Sequence, residues 1–104
     1  MAVLTPDYVF EKYYLKKSSL NPSYQIPSLE EVSAFTKENL HLPGVPSAAE
    51  RSKRGIDLGR ATEINLEKIE ELFLHTIEQQ KQIETQNKLI QQLLQRVQAL
   101  ENKE

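Results

Sequence analysis

The chain has 104 residues, enough for one small domain, with 27% charged residues and a formal net charge of −2, a balance that argues against nucleic acid as the main partner. It has no cysteine and two histidines, His41 and His75, far apart in sequence, which excludes disulfide staples, thiolate metal sites and zinc-ligand spacing. No apolar run approaches the length that inserts across a membrane, and the N-terminus lacks a signal-peptide pattern.

Residues 1 to about 27 hold all four tyrosines and three of the five prolines. Asp7-Tyr8-Val9-Phe10, introduced by Pro6, has the aromatic and β-branched content of a short strand. Lys16-Lys17-Ser18-Ser19 and Asn21-Pro22-Ser23 read as turns. A capped helix is predicted over 28–40. Ser28-Leu29-Glu30-Glu31 has the capping-box spacing, and Leu29, Val32, Phe35 and Thr36 form an apolar stripe facing the aromatic segment. Residues 42–47, Leu-Pro-Gly-Val-Pro-Ser, form a proline-rich turn.

Ser47-Ala48-Ala49-Glu50 repeats the capping pattern, so a short second helix starts there. The cluster Arg51-Ser52-Lys53-Arg54 has two readings: an anion or polysaccharide contact, or cations placed at a helix C-terminus closed by Gly55. Ile56-Asp57-Leu58-Gly59 suits a small strand or a tight connector. These elements define a head over 1–60, of α+β or irregular structure, ahead of a helical segment over 61–104.

That segment contains neither proline nor glycine. Ile69, Thr76, Ile83, Ile90 and Val97 recur every seven residues, each followed three residues later by Leu72, Gln79, Gln86, Leu93 and Leu100. As positions a and d of a heptad they place seven apolar residues in ten core positions, which implies a left-handed coiled coil with copies of the same chain. A second line, Leu66, Phe73, Gln80, Asn87 and Leu94, widens the stripe beyond a two-stranded seam and favours three strands. Ile at a with Leu at d favours a dimer instead, the alternative assembly. Arg96-Val97-Gln98-Ala99-Leu100-Glu101 matches the Arg-h-x-x-h-Glu pattern of three-stranded coils, in which Arg96 reaches Glu101 of a parallel neighbour. The expected fold is therefore mainly α, a small head followed by a parallel trimeric coiled coil. Thr76, Gln79, Gln86 and Asn87 form or flank polar core layers that specify register or are tolerated between strong ends. Leu74 lies off both lines, and His75 is read as solvent-facing.

No catalytic, cofactor or metal grouping is evident: the chain shows no nucleophile–base pair, phosphate loop or paired carboxylates in an apolar setting, and it reads as non-enzymatic. The tyrosines are read as core and interface packing, with Tyr13 and Tyr14 as candidates for a glycan- or protein-binding surface made multivalent by the coil.

Pro6-Asp7-Tyr8-Val9-Phe10, Leu29-Glu30-Glu31-Val32 with Phe35, Asn39-Leu40-His41-Leu42-Pro43-Gly44-Val45-Pro46-Ser47-Ala48, Gly55-Ile56-Asp57-Leu58-Gly59 and Leu66-Glu67-Lys68-Ile69-Glu70-Glu71-Leu72 follow in order. Together they resemble the C-terminal region of bacterial surface and phage tail-fibre-like proteins, and are similar to the distal part of endosialidase-type intramolecular chaperone domains. The resemblance implies a trimerisation and folding module serving an upstream fibre or surface protein, at an extracellular surface or on a virion. In those relatives a serine and a lysine near the domain's N-terminal edge perform self-cleavage. That segment has no counterpart here, so no catalytic residue carries over, and the chain reads as a fragment or reduced version.

Overall fold

The computed structural model describes residues 6–55 and 57–103. Helix accounts for 72% of the described residues and no strand occurs among them, so the architecture is mainly α, without the β element expected in the head. The order is α1 Tyr8–Leu15, α2 Leu29–Asn39, α3 Ala48–Arg54 and α4 Leu58–Glu101. Two compact units result, Met1–Phe73 and Leu74–Glu104, with the division inside α4 rather than at its start.

The first correction concerns Asp7-Tyr8-Val9-Phe10, which opens α1 instead of forming a strand. Four residues are too few to separate period 2 from period 3.6. The following Glu11, Lys12 and Leu15 are compatible with a helix, and α1 places Tyr8 and Val9 side by side in the core. A strand would send consecutive side chains to opposite faces. Asp7 occupies the N-cap position of α1 with φ 134° and makes no side-chain cap bond there, and Lys16 ends the helix in the left-handed region. The turn that follows is organised by Glu11, whose carboxylate accepts from the Ser18 hydroxyl at 2.6 Å and the Leu20 amide at 3.4 Å. The Ser18 hydroxyl holds that carboxyl below its usual range, with burial opposing.

Ser28 begins α2 as expected, its hydroxyl accepting from the Glu31 amide at 3.0 Å. The expected packing of this helix is weaker than its stripe suggests. It contributes no buried residue, Leu29 is exposed, and Phe35 meets the His41 ring edge-on at 5.3 Å. Pro43 and Gly44 form the centre of a turn closed by the Val45 amide on the Leu42 carbonyl at 3.2 Å. Gly44 takes φ +76°, the left-handed value that the third position of such a turn requires. Ser47 and Glu50 make a reciprocal capping box for α3, and Gly55 closes it. Ile56 lies outside the described residues. Asp57 and Leu58 do not form a strand: the Asp57 carboxylate accepts from the Arg60 amide at 3.2 Å, and Leu58 is already helical. The long helix thus starts three residues before the expected 61 and runs for 44 residues, roughly 66 Å. It ends at Glu101 rather than 104, and Glu104 lies outside the described residues.

Leu40 closes α2 in the left-handed conformation with φ 60°, its amide donating to the Thr36 carbonyl, while its side chain is 88% exposed. A leucine there carries a backbone cost with no packing return. Leu40→Gly is expected to stabilise the first unit by about 1 kcal/mol, read as a rise in the urea midpoint at unchanged slope. A lower midpoint would show that the leucine is covered in the assembled protein.

Candidate functional site

Two opposite faces of α4 have different tasks in the first unit. With Ile69 at position a, Glu67, Glu70 and Glu71 fall at f, b and c, the positions a coiled coil turns outward. The head is built on this polar face. The Tyr8 hydroxyl donates to the Glu67 carboxylate, and the Tyr24 hydroxyl donates to Glu71 Oε2 at 2.5 Å. The two rings stack at a tilt, 4.9 Å apart. Lys68 Nζ lies 3.1 Å from both Glu67 Oε1 and Glu71 Oε1, and a β-carbon on Gly44 would sit 3.6 Å from it, which places the proline-rich turn beside that ammonium. Val9 and Pro6 complete the small apolar core.

Burial, followed by the Glu67 hydrogen bond, pushes the Tyr8 phenol well above its usual range. Burial and Glu71 do the same to Tyr24. Both phenols therefore remain donors at any physiological pH. Glu70 is the strained member. It is buried, its Oε1 has no hydrogen-bond partner among the described residues, and burial together with the Asp7 carboxylate raises its pKa above 4.5. Glu67, Glu70 and Glu71 thus gather on the face of α4 that carries the head. The signal was in the spacing: residues 63, 67, 70 and 71 are all glutamates on one helical face. A reading that follows apolar periodicity passes over them. Among the described residues no group suited to holding a metal ion occurs.

The apolar face in the same unit is left open: Leu66, Ile69, Leu72 and Phe73 are 39%, 48%, 65% and 60% exposed. In the second unit Ile83, Ile90, Leu93, Leu94, Val97 and Leu100 are likewise all exposed. Thr76, Gln79, Gln86 and Asn87 lie exposed between them on the same helix. Arg96 and Glu101 are exposed, and among the described residues no ion pair joins them. Leu74 is fully buried. His75 is not solvent-facing: its side chain is 14% exposed, with Nδ1 3.7 Å from Glu78 Oε1. Tyr13 and Tyr14 stand apart from the Tyr8–Tyr24 pair. They meet edge-to-face at 4.9 Å, Lys16 Nζ lies 5.7 Å from the Tyr13 ring, and Tyr14 is exposed.

Comparison of the chain with protein-family models, curated proteins and solved structures finds no match in any of the three. Among the described residues no helix is long and apolar enough to cross a membrane.

Two outcomes follow from the carboxylate cluster. Because the folded-state pKa of Glu70 is raised, its contribution is complete below its unfolded value and is lost as pH rises through the folded one. Glu70→Gln should therefore raise stability at neutral pH and flatten the loss of stability above pH 4.5, measured by denaturant unfolding at several pH values. An unchanged pH profile would contradict the assignment. Tyr24→Phe should cost about 1.5–3 kcal/mol by the same measurement, the usual value of a hydrogen bond to a charged group.

Proposed function

We propose that the chain is an assembly module in which α4 forms a parallel three-stranded coiled coil with two further copies. The observation that carries this reading is the inversion of the helix within the first unit. A helix in a self-sufficient globular domain buries its apolar stripe and turns its polar face to water. Here the polar face, through Glu67, Glu70 and Glu71, holds the head, and Leu66, Ile69, Leu72 and Phe73 stay exposed. The uncovered side is the one whose residues repeat at a and d through Leu100. Contiguous apolar surface of this kind marks an interaction site, and the seven-residue repeat selects another copy of the same helix as its occupant.

Three strands are favoured by the exposed e positions Leu66, Phe73 and Leu94, which widen the stripe. The Arg96–Glu101 spacing adds to this. Exposed, and with no ion pair among the described residues, Arg96 can reach a neighbour's Glu101 in a parallel arrangement, its methylenes covering the core. The small buried core of the head gives the same direction, since few buried side chains must offset the ordering of a long segment. The ordered motifs around His41-Leu42-Pro43-Gly44-Val45-Pro46-Ser47 support placing the module at the C-terminal end of a fibrous surface or tail-fibre-like protein, where joining three chains sets the register of the fibre upstream.

Leu93→Asp places an unpaired charge in a core layer and should disrupt the coil. In the wild-type chain the thermal midpoint of the helical circular-dichroism signal should rise with protein concentration. In the variant, helicity should fall and the concentration dependence should vanish. A variant that melts like the wild type at every concentration would refute the heptad register.

A further inference from the structure

The three glutamates that hold the head on α4 are not equally provided for. Glu67 and Glu71 each accept from a phenol, Tyr8 and Tyr24, and share the Lys68 ammonium at 3.1 Å. Glu70 lies between them in sequence and is 5% exposed, and its Oε1 has no hydrogen-bond partner among the described residues. A buried carboxylate with an unmet oxygen is costly while it is charged, and a proton on it removes most of that cost.

The other side of this contact is the start of α1. Asp7 sits at its N-cap with φ 134°, a backbone conformation that L side chains rarely adopt. A cap hydrogen bond would offset that strain, but the Asp7 side chain makes none. Its carboxyl adjoins Glu70 instead, so that two like charges meet when both are ionised. Burial first, and then the Asp7 carboxyl, disfavour the charged form of Glu70, and the Asp7 and Val9 amides only partly oppose them. The other ionisable groups on this contact are Tyr8 of α1, Tyr24 of the loop that follows, and Glu63, Glu67, Lys68 and Glu71 of α4. Both phenols keep their protons, Lys68 lies against Glu67 and Glu71, and Glu63 Oε2 is itself buried without a partner among the described residues.

We propose that the seating of α1 on α4 is a proton-operated latch. One proton between the Glu70 and Asp7 carboxyls holds α1 down, and its loss to water as pH rises lets α1 lift away while α4 stays helical. The folded-state pKa of Glu70 is raised above 4.5, so its support for docking is complete below the unfolded value and is lost as pH rises through the folded one. Glu11 acts in the opposite sense. The Ser18 hydroxyl lowers its carboxyl, so the turn after α1 loses support as pH falls. Release relaxes the backbone at Asp7 and opens Tyr8, Val9 and the carboxylate face to water. Opening of one short helix is a local event that leaves the rest of the chain folded. This inference does not depend on the oligomeric state of α4.

The test is amide hydrogen exchange of the full chain at a series of pH values upward from 4.5, corrected for the intrinsic exchange rate at each. Protection of the α1 amides, Tyr8–Leu15, should fall as pH rises, while that of the second unit stays unchanged. Glu70→Gln should flatten this profile and keep α1 protected at neutral pH. Asp7→Asn should do the same, and because the Asp7 side chain makes no cap bond, it removes the like charge without unmaking the helix start. Glu11→Gln should leave the fall on the alkaline side intact. Protection of α1 that is constant with pH in the wild type would overturn the latch. A fall shared equally by every helix would show unfolding of the whole chain and overturn it too, as would persistence of the fall in either Glu70→Gln or Asp7→Asn.

Discussion

The organising interaction is the pair of tyrosine-to-glutamate hydrogen bonds, Tyr8 to Glu67 and Tyr24 to Glu71, that fasten the head to the polar side of α4. Each joins residues far apart in the chain, and each uses a carboxylate that a free helix would leave in water. Phenol donors suit this task because burial beside carboxylates makes their ionisation harder, which keeps the proton where the hydrogen bond requires it. Lys68, shared between Glu67 and Glu71, supplies the opposite charge that lets two carboxylates stand on neighbouring turns of a largely buried face. Glu70 has no such partner, and so it is the pH-sensitive point of the arrangement.

Holding the head by polar groups has a structural consequence. The apolar side of the helix is not consumed by intramolecular packing, so Leu66, Ile69, Leu72 and Phe73 continue the pattern of the second unit instead of ending it. A head attached through leucines would compete with the coil for the same residues. One attached through f, b and c positions leaves those apolar residues exposed.

The long helix was legible because its signal is redundant: many heptad positions agree and neither proline nor glycine interrupts them. The Ser28 and Ser47 caps and the Pro43-Gly44 turn were legible for a local reason, since each is a contact between residues within four positions of one another. Helix α1 was not. Tyr8-Val9-Phe10 resembles a strand in isolation, and what makes it helical is the docking of Tyr8 onto a glutamate 59 residues away. The carboxylate cluster was hidden for the same reason. Glutamates at f, b and c are what a solvated coiled-coil face also shows, and only the positions of the two tyrosines distinguish the cases. His75 illustrates a smaller version: a g-position histidine reads as exposed, yet its side chain is 14% exposed with Glu78 one turn along the helix.

The central claim is that the open face of α4 is filled by two further copies of the chain, and the absolute mass in solution tests it most directly. Sedimentation equilibrium of the wild-type chain, of 12.0 kDa per copy, over a wide range of loading concentrations should give the mass of three chains, persisting on dilution. A monomer at all concentrations would contradict the account outright, and a stable dimer would reduce the Arg96–Glu101 spacing to coincidence and leave only the a and d seam.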